Sequence, residues 1–178
     1  MVNCGNNFYI FELLKSRTGH TLDIYFFGTY DCKADAKGRV KLPVTLLSQM
    51  TPIRNEGFVI KRSMYDNCLE LYPMGEWNTV MKELNTKSRY EPENLEFIRK
   101  YTAGLRPVEI DSAGRLLIPK NLITTVGITK EVVLASINKN LEIWDKALYE
   151  ESIKAPSEEN AKLARKVMGN EKPKDDVS

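Results

Sequence analysis

The chain has 178 residues, of which 42% are hydrophobic and 28% are charged, and its formal net charge is +2. This length allows one large domain or two small ones, and the composition is typical of a globular protein with a hydrophobic core. The near-neutral charge excludes a strongly basic surface over the whole molecule. Any phosphate-binding surface must therefore be local, or must be repeated in an oligomer.

The N-terminal segment carries no targeting or membrane signal. Residues 8–14 are apolar but too few to span a bilayer, and neither a basic flank nor a small-residue cleavage site accompanies them. We therefore expect a cytoplasmic protein. The three cysteines, Cys4, Cys32 and Cys68, form neither a C-x-x-C pair nor an even set, so we expect reduced thiols and no metal site.

One segment of the chain occurs twice. Residues 28–43 and 104–119 align without a gap at an offset of 76 residues, and residues 58–77 align with 132–151 once a few residues are allowed to shift. The sequence therefore predicts two copies of one module of about fifty residues. The matched residues of the first segment pair are Gly28 with Gly104, Asp35 with Asp111, Gly38 with Gly114, Arg39 with Arg115, and Pro43 with Pro119.

Both copies predict the same order of short elements. A strand leads to the Asp, and Asp-x-x-Gly forms a turn because Asp accepts from nearby backbone amides and Gly tolerates positive φ. After a second strand, Pro43 and Pro119 suit the first turn of a short helix, and Gly127 ends the second of these helices. Two further strands, joined by a polar turn, complete each copy. The predicted strands include residues 39–42 and 58–61 and a strand ending at Tyr72, then 108–111, 115–118 and 131–135 and a strand ending at Trp144.

Helices are predicted between the two copies and after the second. Residues 73–85, and a segment that opens at Pro92 and stops at Gly104, repeat apolar residues at helical spacing. Residues 158–168 do so more weakly, and the polar residues after them are expected to be disordered. The residues expected to share a helix face are Trp77, Val80, Met81 and Leu84, then Leu95, Ile98 and Thr102, and finally Ala161, Leu163, Ala164 and Val167.

The repeated Asp-x-x-Gly-Arg turn is the candidate functional site. In one interpretation, Asp and Arg form an exposed ion pair of little energetic value. In the other, the arginines bind phosphate or guanine, because a planar guanidinium grips either with two hydrogen bonds. The recurrence of the Asp-x-x-Gly-Arg turn in both copies favours the second interpretation. The candidate DNA-binding residues are Arg39, Arg115, Lys37 and Lys41, and the turn-forming residues are Asp35, Gly38, Asp111 and Gly114.

The two turns differ in charge. Lys37 and Lys41 belong to the first copy, whereas Ala113 and Leu117 stand at the corresponding positions of the second. The first turn is therefore the more basic, and we expect it to contribute more phosphate contacts.

Three segments together resemble the MraZ family: residues 25–43, the C-L-E-L-Y-P-x-x-E-W sequence at 68–77, and Ala103-Gly104 with the D-S-A-G-R-L-L-I-P sequence that follows. The resemblance covers roughly residues 25–150. It implies an α+β fold of tandem duplicated AbrB-like swapped-hairpin β-barrel modules with short connecting helices. It also implies a sequence-specific transcriptional regulator, a ring-shaped homo-oligomer at the nucleoid. This regulator would bind double-stranded DNA at tandem promoter repeats of the division and cell-wall gene cluster. In this family the motif arginines face the DNA, here Arg39 and Arg115.

The resemblance also suggests how the chain is divided. Family members begin close to a Phe-x-Gly-x-Tyr sequence, here at Phe26, so the preceding residues are expected to be a lineage-specific tail or translated upstream sequence, and we favour the latter. Pro107, before the second turn, indicates an edge strand or a bulge, because proline lacks a backbone donor. The predicted parts are an N-terminal extension (1–24), a first AbrB-like module (25–77), a helical linker (78–103), a second AbrB-like module (104–150) and a C-terminal helix with a disordered tail (151–178).

Other classes of protein remain as alternatives. A self-assembling interaction protein would use the same arginines to bind neighbouring subunits, and retention on heparin would distinguish it from a DNA-binding protein. A small enzyme is less well supported, because the only histidine, His20, lies outside the repeat and no glycine-rich phosphate loop is present. Asp35 and Asp111 suit turns better than an acid–base pair. No catalytic residue, cofactor or small-molecule ligand is predicted.

Overall fold

The computed structural model describes residues 24–154 and 156–169. The strands in this part of the chain are β1 (Thr29–Lys33), β2 (Arg39–Lys41), β3 (Phe58–Arg62), β4 (Leu69–Pro73), β5 (Arg106–Val108), β6 (Arg115–Leu117), β7 (Glu131–Ile137) and β8 (Asn140–Asp145). The helices are α1 (Val44–Met50), α2 (Met74–Asn85), α3 (Pro92–Tyr101), α4 (Lys120–Val126), α5 (Lys146–Ser152) and α6 (Ser157–Met168), and a 3-10 turn spans Arg54–Glu56. Helices combined with antiparallel strands confirm the predicted α+β class.

Six strands form one antiparallel sheet in the order β1-β7-β8-β4-β3-β5. The two sequence copies interleave in this sheet. Strand β1 of the first copy pairs with β7 of the second, and β5 of the second copy pairs with β3 of the first. Equivalent strands of the two copies therefore lie at equivalent positions: β1 and β5 are the two edge strands, β7 and β3 lie next to them, and β8 and β4 pair in the middle. The two copies therefore build one shared sheet.

The remaining strands, β2 and β6, form a separate two-stranded antiparallel ribbon. Each strand follows one of the Asp-x-x-Gly turns. Val40 and Leu116 face each other at the centre of the ribbon and are fully buried. Isolated bridges from Ala34 to Val40 and from Ile110 to Leu116 connect each strand back to the residues before its turn. The ribbon therefore joins the two copies through their repeated motifs.

The main core is one cluster of buried side chains from the sheet, the ribbon and the helices α1 and α4. Helix α1 contributes Leu46 and Met50, and helix α4 contributes Leu122 and Val126. Each pair is four residues apart and so lies on one face of its helix. These short helices therefore cover the core with one apolar face, and truncating such a leucine to alanine typically costs about 2–5 kcal/mol of stability.

Proline and glycine delimit these helices, and each proline lies one residue before the helix and not in its first turn as predicted. Pro43 and Pro119 directly precede α1 and α4 in extended conformation, and Gly127 ends α4 with a φ of 70°. Pro107 lies in β5, which is an edge strand of the sheet. The missing amide of Pro107 therefore removes no hydrogen bond from the interior of the sheet, and the predicted edge position is confirmed.

Helices also cover the sheet face opposite the main core. Leu148 and Tyr149 of α5 pack against a small cluster that includes Val133 and Trp144. Over β3 and β4, Trp77 of α2 and Tyr101 of α3 stack with ring centroids 6.2 Å apart. The linker helices are therefore part of the folded structure and contact the shared sheet.

The buried face of α3 agrees with the prediction at Ile98 and Thr102, which are half-buried, but differs from it at Leu95. Leu95 is 41% exposed, whereas Ile98 and Tyr101 are half-buried. Tyr101 contacts Trp77 and also stacks on Phe97, with a centroid distance of 5.5 Å. The stacking of Tyr101 on Trp77 of α2 favours this rotation of α3, and the apolar spacing within α3 does not predict that contact.

Helix α6 contributes little to the core. Leu163 and Val167 of α6 are exposed. Residues 170–178 and residues 1–23 of the predicted extension lie outside the described residues, and Ile24 is half-buried against the main core. None of the helices within 24–154 and 156–169 has the length and apolar character needed to cross a membrane.

Candidate nucleic-acid interface

The first turn is closed by the side chain of Asp35. Its Oδ1 accepts hydrogen bonds from the backbone amides of Lys37 (2.8 Å) and Arg39 (3.0 Å). Its Oδ2 accepts a hydrogen bond from Nε of Arg39 (2.7 Å), and Nη2 of the same guanidinium also lies 2.7 Å away. The Gly38 amide donates to the Asp35 carbonyl (2.9 Å). One carboxylate therefore closes the turn and also orients the arginine.

The second turn repeats this geometry. Asp111 Oδ1 accepts from the amides of Ala113 and Arg115, each at 2.9 Å, and Oδ2 accepts from Nε of Arg115 at 2.7 Å. The Gly114 amide donates to the Asp111 carbonyl at 2.9 Å, as in the first turn. The sequence repeat is therefore also a repeat of the hydrogen bonds that hold each arginine.

Both aspartates are ionised at neutral pH. Hydrogen bonding from the Arg39 amide, reinforced by the guanidinium, lowers the pKa of Asp35 to about 2. The equivalent bonds from Arg115 also lower the pKa of Asp111. Each arginine thus has a nearby negative charge, but a guanidinium has five N–H donors. In residues 24–154 and 156–169, no hydrogen bond engages Nη1 of either arginine, so this end of each side chain can bind a ligand.

Each turn packs against the other copy. The Ile118 amide donates to the Gly38 carbonyl (2.9 Å), and the Leu42 amide donates to the Gly114 carbonyl (3.0 Å). Gly38 has a φ of 82°, and a Cβ at this position would lie 2.8 Å from the Ile118 carbonyl oxygen. Glycine is therefore required here both by the backbone conformation and by the close approach of the second copy.

Four outward side chains form what we term the ribbon face: Arg39, Lys41, Arg115 and Leu117. Arg39 lies opposite Leu117, and Lys41 lies opposite Arg115. All four alternate with the buried centre of the ribbon and so point away from the core. The exposed Lys37 adds a fourth cation at the first turn. The four cations and the two turn aspartates sum to +2, which equals the net charge of the whole chain.

The ribbon face is asymmetric. Exchanging the two copies places Arg39 on Arg115 but places Lys41 on Leu117. Lys41 also reaches the other copy, because its Nζ donates to the Ala113 carbonyl in the second turn. The positive charge is thus concentrated at the first turn and where Lys41 of the first copy faces Arg115 of the second, which we term the seam between the copies.

Arg54 supports the second turn, although no motif in the sequence points to this residue. Its Nη2 donates to the carbonyl of Ile110 (3.2 Å) and to that of Asp111. Arg54 lies in the 3-10 turn after α1 and outside the repeated motif. Because motif spacing was the only sequence signal for the site, a single arginine in a polar turn had nothing to distinguish it.

A second polar cluster lies on the sheet face away from the main core. Lys61 Nζ lies 2.7 Å from Glu70 Oε2 and 4.1 Å from the centre of the Tyr101 ring. Glu70 also accepts a hydrogen bond from the Tyr72 hydroxyl (2.8 Å) and lies opposite Glu142 across β4 and β8. Burial raises the pKa of Glu142. The contact between Lys61 on the sheet and Tyr101 on α3 stabilises the packing of α3 against the sheet. This cluster lies apart from the two turns.

The described cysteines are not reactive groups. Burial raises the pKa of Cys32 to about 11 and that of Cys68 to about 12, so both thiols are protonated at neutral pH. Within the described ranges, no group of three or more His, Cys, Asp or Glu side chains is placed to hold a metal ion.

The chain matches the sequence profile of a family described as "MraZ protein, putative antitoxin-like" over residues 25–100 and again over residues 103–168. It is 51% identical over 148 residues to the transcriptional regulator MraZ of Christiangramia forsetii, a match that covers 83% of this chain and 96% of the relative. Identity to the same-named protein of Flavobacterium psychrophilum is 50% over 143 residues, which are 80% of this chain and 91% of the relative. The transcriptional regulator MraZ of Cytophaga hutchinsonii is 33% identical to this chain over 144 residues, which are 81% of this chain and 95% of the relative. The family profile matches most of the length of this chain, the matched segments cover nearly the whole of each relative, and the two turns have the same geometry. The chain therefore belongs to the MraZ family.

Proposed function

We propose that the chain is a sequence-specific DNA-binding transcriptional regulator that contacts DNA through the ribbon face. The observation that carries this proposal is the grouping of three cations, Arg39, Lys41 and Arg115, on one exposed face of a two-stranded ribbon. The major groove of B-DNA admits such a ribbon, and arginine binds the O6 and N7 atoms of guanine with two hydrogen bonds. The relatives' name, transcriptional regulator, agrees with this activity.

The hydrogen bonds of the turns prepare the arginines for binding. Asp35 and Asp111 hold Nε of each arginine at 2.7 Å, and these bonds do not use Nη1. A side chain that is already ordered loses less conformational entropy when it binds. The ion pair of the simpler interpretation therefore also supports DNA binding, since it orients the group that makes the contact.

Lys37 and Lys41 extend the basic surface around the first arginine. Phosphate contacts orient a protein on the duplex, whereas base contacts specify the sequence. We assign the two lysines to phosphate contacts and the two arginines to base edges. The first copy then contributes most of the salt-dependent affinity.

We further propose an AbrB-like swapped-hairpin fold with modules at 25–77 and 104–150, a linker at 78–103, an extension at 1–24 and a C-terminal part at 151–178. The interleaving of β1 with β7 and of β5 with β3 supports the swapped arrangement. We also propose a ring-shaped homo-oligomer in the cytoplasm, at the nucleoid, that acts on tandem promoter repeats of the division and cell-wall gene cluster. Because one chain offers only four ribbon and turn cations, repetition of this surface would raise its affinity through effective concentration.

Selection of bound DNA from a random pool, at a stated salt concentration, tests the function. The expected result is one recurring sequence that contains guanine, bound more tightly than the unselected pool. Recovery of unrelated sequences, bound no more tightly than that pool, would contradict sequence-specific binding.

Mobility-shift titrations on probes with one, two and three selected sites test the oligomer and the tandem repeats. Neighbouring subunits should meet the same side of the duplex when sites recur about every 10 base pairs. Affinity should then rise steeply from one site to two, and an insertion of about 5 base pairs between sites should abolish the gain by rotating one site away. Indifference to this insertion would overturn the oligomeric part of the proposal.

A further inference from the structure

Leu117 is an apolar side chain in a cationic surface. It is 54% exposed, although the inward residue beside it, Leu116, is fully buried. Its cross-strand neighbour is Arg39, and Arg115 lies two residues before it on the same side of β6. The corresponding position of the first copy is Lys41. The second copy therefore presents a leucine where the first presents a cation.

An exposed leucine among cations matches one feature of the major groove. Base edges there carry hydrogen-bond donors and acceptors, and thymine alone also carries an apolar group, the C5 methyl. Cross-strand neighbours such as Arg39 and Leu117 have Cβ atoms about 5 Å apart. Stacked base pairs are about 3.4 Å apart. An arginine and a leucine placed in this way reach the same or adjacent base pairs.

We propose that Leu117 is a specificity-determining residue that contacts the C5 methyl of a thymine at or next to the base pair read by Arg39. This inference rests on the proposed function, because it places the ribbon face in the major groove. It also explains the asymmetry of the ribbon. Lys41 adds charge on the side of the first copy, and Leu117 adds discrimination on the side of the second.

Replacing thymine by deoxyuridine removes this methyl and leaves the hydrogen-bonding groups of the base in place. Each thymine of the selected site is replaced singly, and affinity is measured by mobility shift. For the unmodified protein, one position should weaken binding by about fourfold, which is the effect of losing one buried methyl-sized group. That position should lie within one base pair of the guanine at which Arg39→Ala relaxes specificity.

Two substitutions assign the effect to Leu117. Leu117→Ala should bind the thymine and deoxyuridine probes equally. Leu117→Lys should lose the same discrimination while raising the salt slope by about 0.9, because it restores a cation at the position equivalent to Lys41. Leu163→Ala is the matched control. It removes a leucine of similar exposure, 60%, from helix α6 and should leave the deoxyuridine effect unchanged.

The outcomes separate this inference from the proposed function. If specific binding is present but no deoxyuridine position matters, or if Leu117→Ala stays as sensitive as the unmodified protein, the assignment of Leu117 is wrong and the DNA-binding function stands. If Leu117→Ala instead changes the molar mass measured by light scattering, Leu117 belongs to a contact between copies and the inference is again wrong. If the unmodified protein selects no DNA sequence, the proposed function itself fails.

Discussion

Lys41 and Arg115 lie directly opposite each other in the β2–β6 ribbon, although both side chains are cationic. Like charges at opposed positions of an antiparallel pair destabilise it. Lys41 Nζ donates to the Ala113 carbonyl, and Nε of Arg115 donates to Asp111, so each cation has a fixed partner in the second turn. We interpret this placement of two cations at the seam between the copies as the centre of an anion-binding surface.

Lys41→Ala should therefore weaken DNA binding and lower the slope of log affinity against log salt by about 0.9, because one phosphate contact is lost. The melting temperature should change little, since the lost hydrogen bond is offset by relief of the repulsion with Arg115. Mobility-shift titrations at several salt concentrations and a thermal melt measure the two effects. The control is Lys82→Ala, on helix α2. A clear loss of stability with unchanged DNA affinity would make Lys41 a structural residue only.

The Asp35 turn predicts a pH dependence of stability. The pKa of Asp35 is about 2 in the folded chain, against about 3.9 for an unperturbed aspartate. Because the folded-state pKa is the lower one, the stabilisation is complete above about pH 4 and is lost as the pH falls towards 2. Asp35→Asn should therefore lower the melting temperature at neutral pH, and the difference from the unmodified protein should shrink between pH 4 and pH 2. A difference that stays constant over this range would contradict the assigned role of the carboxylate.

Gly38 and Gly127 form a matched pair of left-handed glycines. Gly127→Ala should lower the free energy of unfolding by about 1–2 kcal/mol, which is the penalty for a left-handed backbone alone, because nothing lies within 4 Å of the new Cβ. Gly38→Ala should cost more, because its Cβ would also meet the Ile118 carbonyl of the second copy at 2.8 Å. Urea unfolding of both variants measures the difference. Equal losses would show that the first turn can move away from Ile118 without loss of stability.

The buried pair of Lys61 and Glu70 should behave as a coupled unit. Lys61→Met leaves a buried carboxylate without its cation and should lower the free energy of unfolding by about 3–5 kcal/mol. Adding Glu70→Leu should recover part of this loss, because no unpaired charge then remains. The two single variants, Lys61→Met and Glu70→Leu, and the double variant are compared with the unmodified protein by urea unfolding. If the double variant loses the sum of the two single effects, the groups do not act as a pair.

Much of the local structure was predictable because it depends on neighbours in sequence. The Asp-x-x-Gly turn, the prolines before α1 and α4, and the left-handed Gly127 each follow from the conformational preferences of a few adjacent residues. Comparison of the two copies identified the turn as the candidate site. The edge position of β5 followed from Pro107, because proline has no amide to donate.

Features that depend on distant contacts were not predictable. The apolar pattern of β1 does not specify that it pairs with β7, since any apolar strand edge satisfies the same pattern. The exposure of Leu95 depends on aromatic contacts between two helices. Arg54 and the buried Lys61 carry no local motif, and their roles follow from residues that only the fold brings close. The outward direction of Leu117 required the register of the ribbon.

The central claim is that the motif arginines of the ribbon face contact DNA, and the affinity and base specificity of three arginine variants test it most directly. Arg39→Ala and Arg115→Ala should each weaken binding to the selected sequence and relax specificity at a guanine, because both arginines are assigned to base edges. Arg99→Ala, which removes an exposed arginine from helix α3, should change neither. Light scattering must show the same assembly for all variants. If Arg39→Ala and Arg115→Ala match the Arg99→Ala control in affinity and specificity, the ribbon face is not the DNA-binding surface.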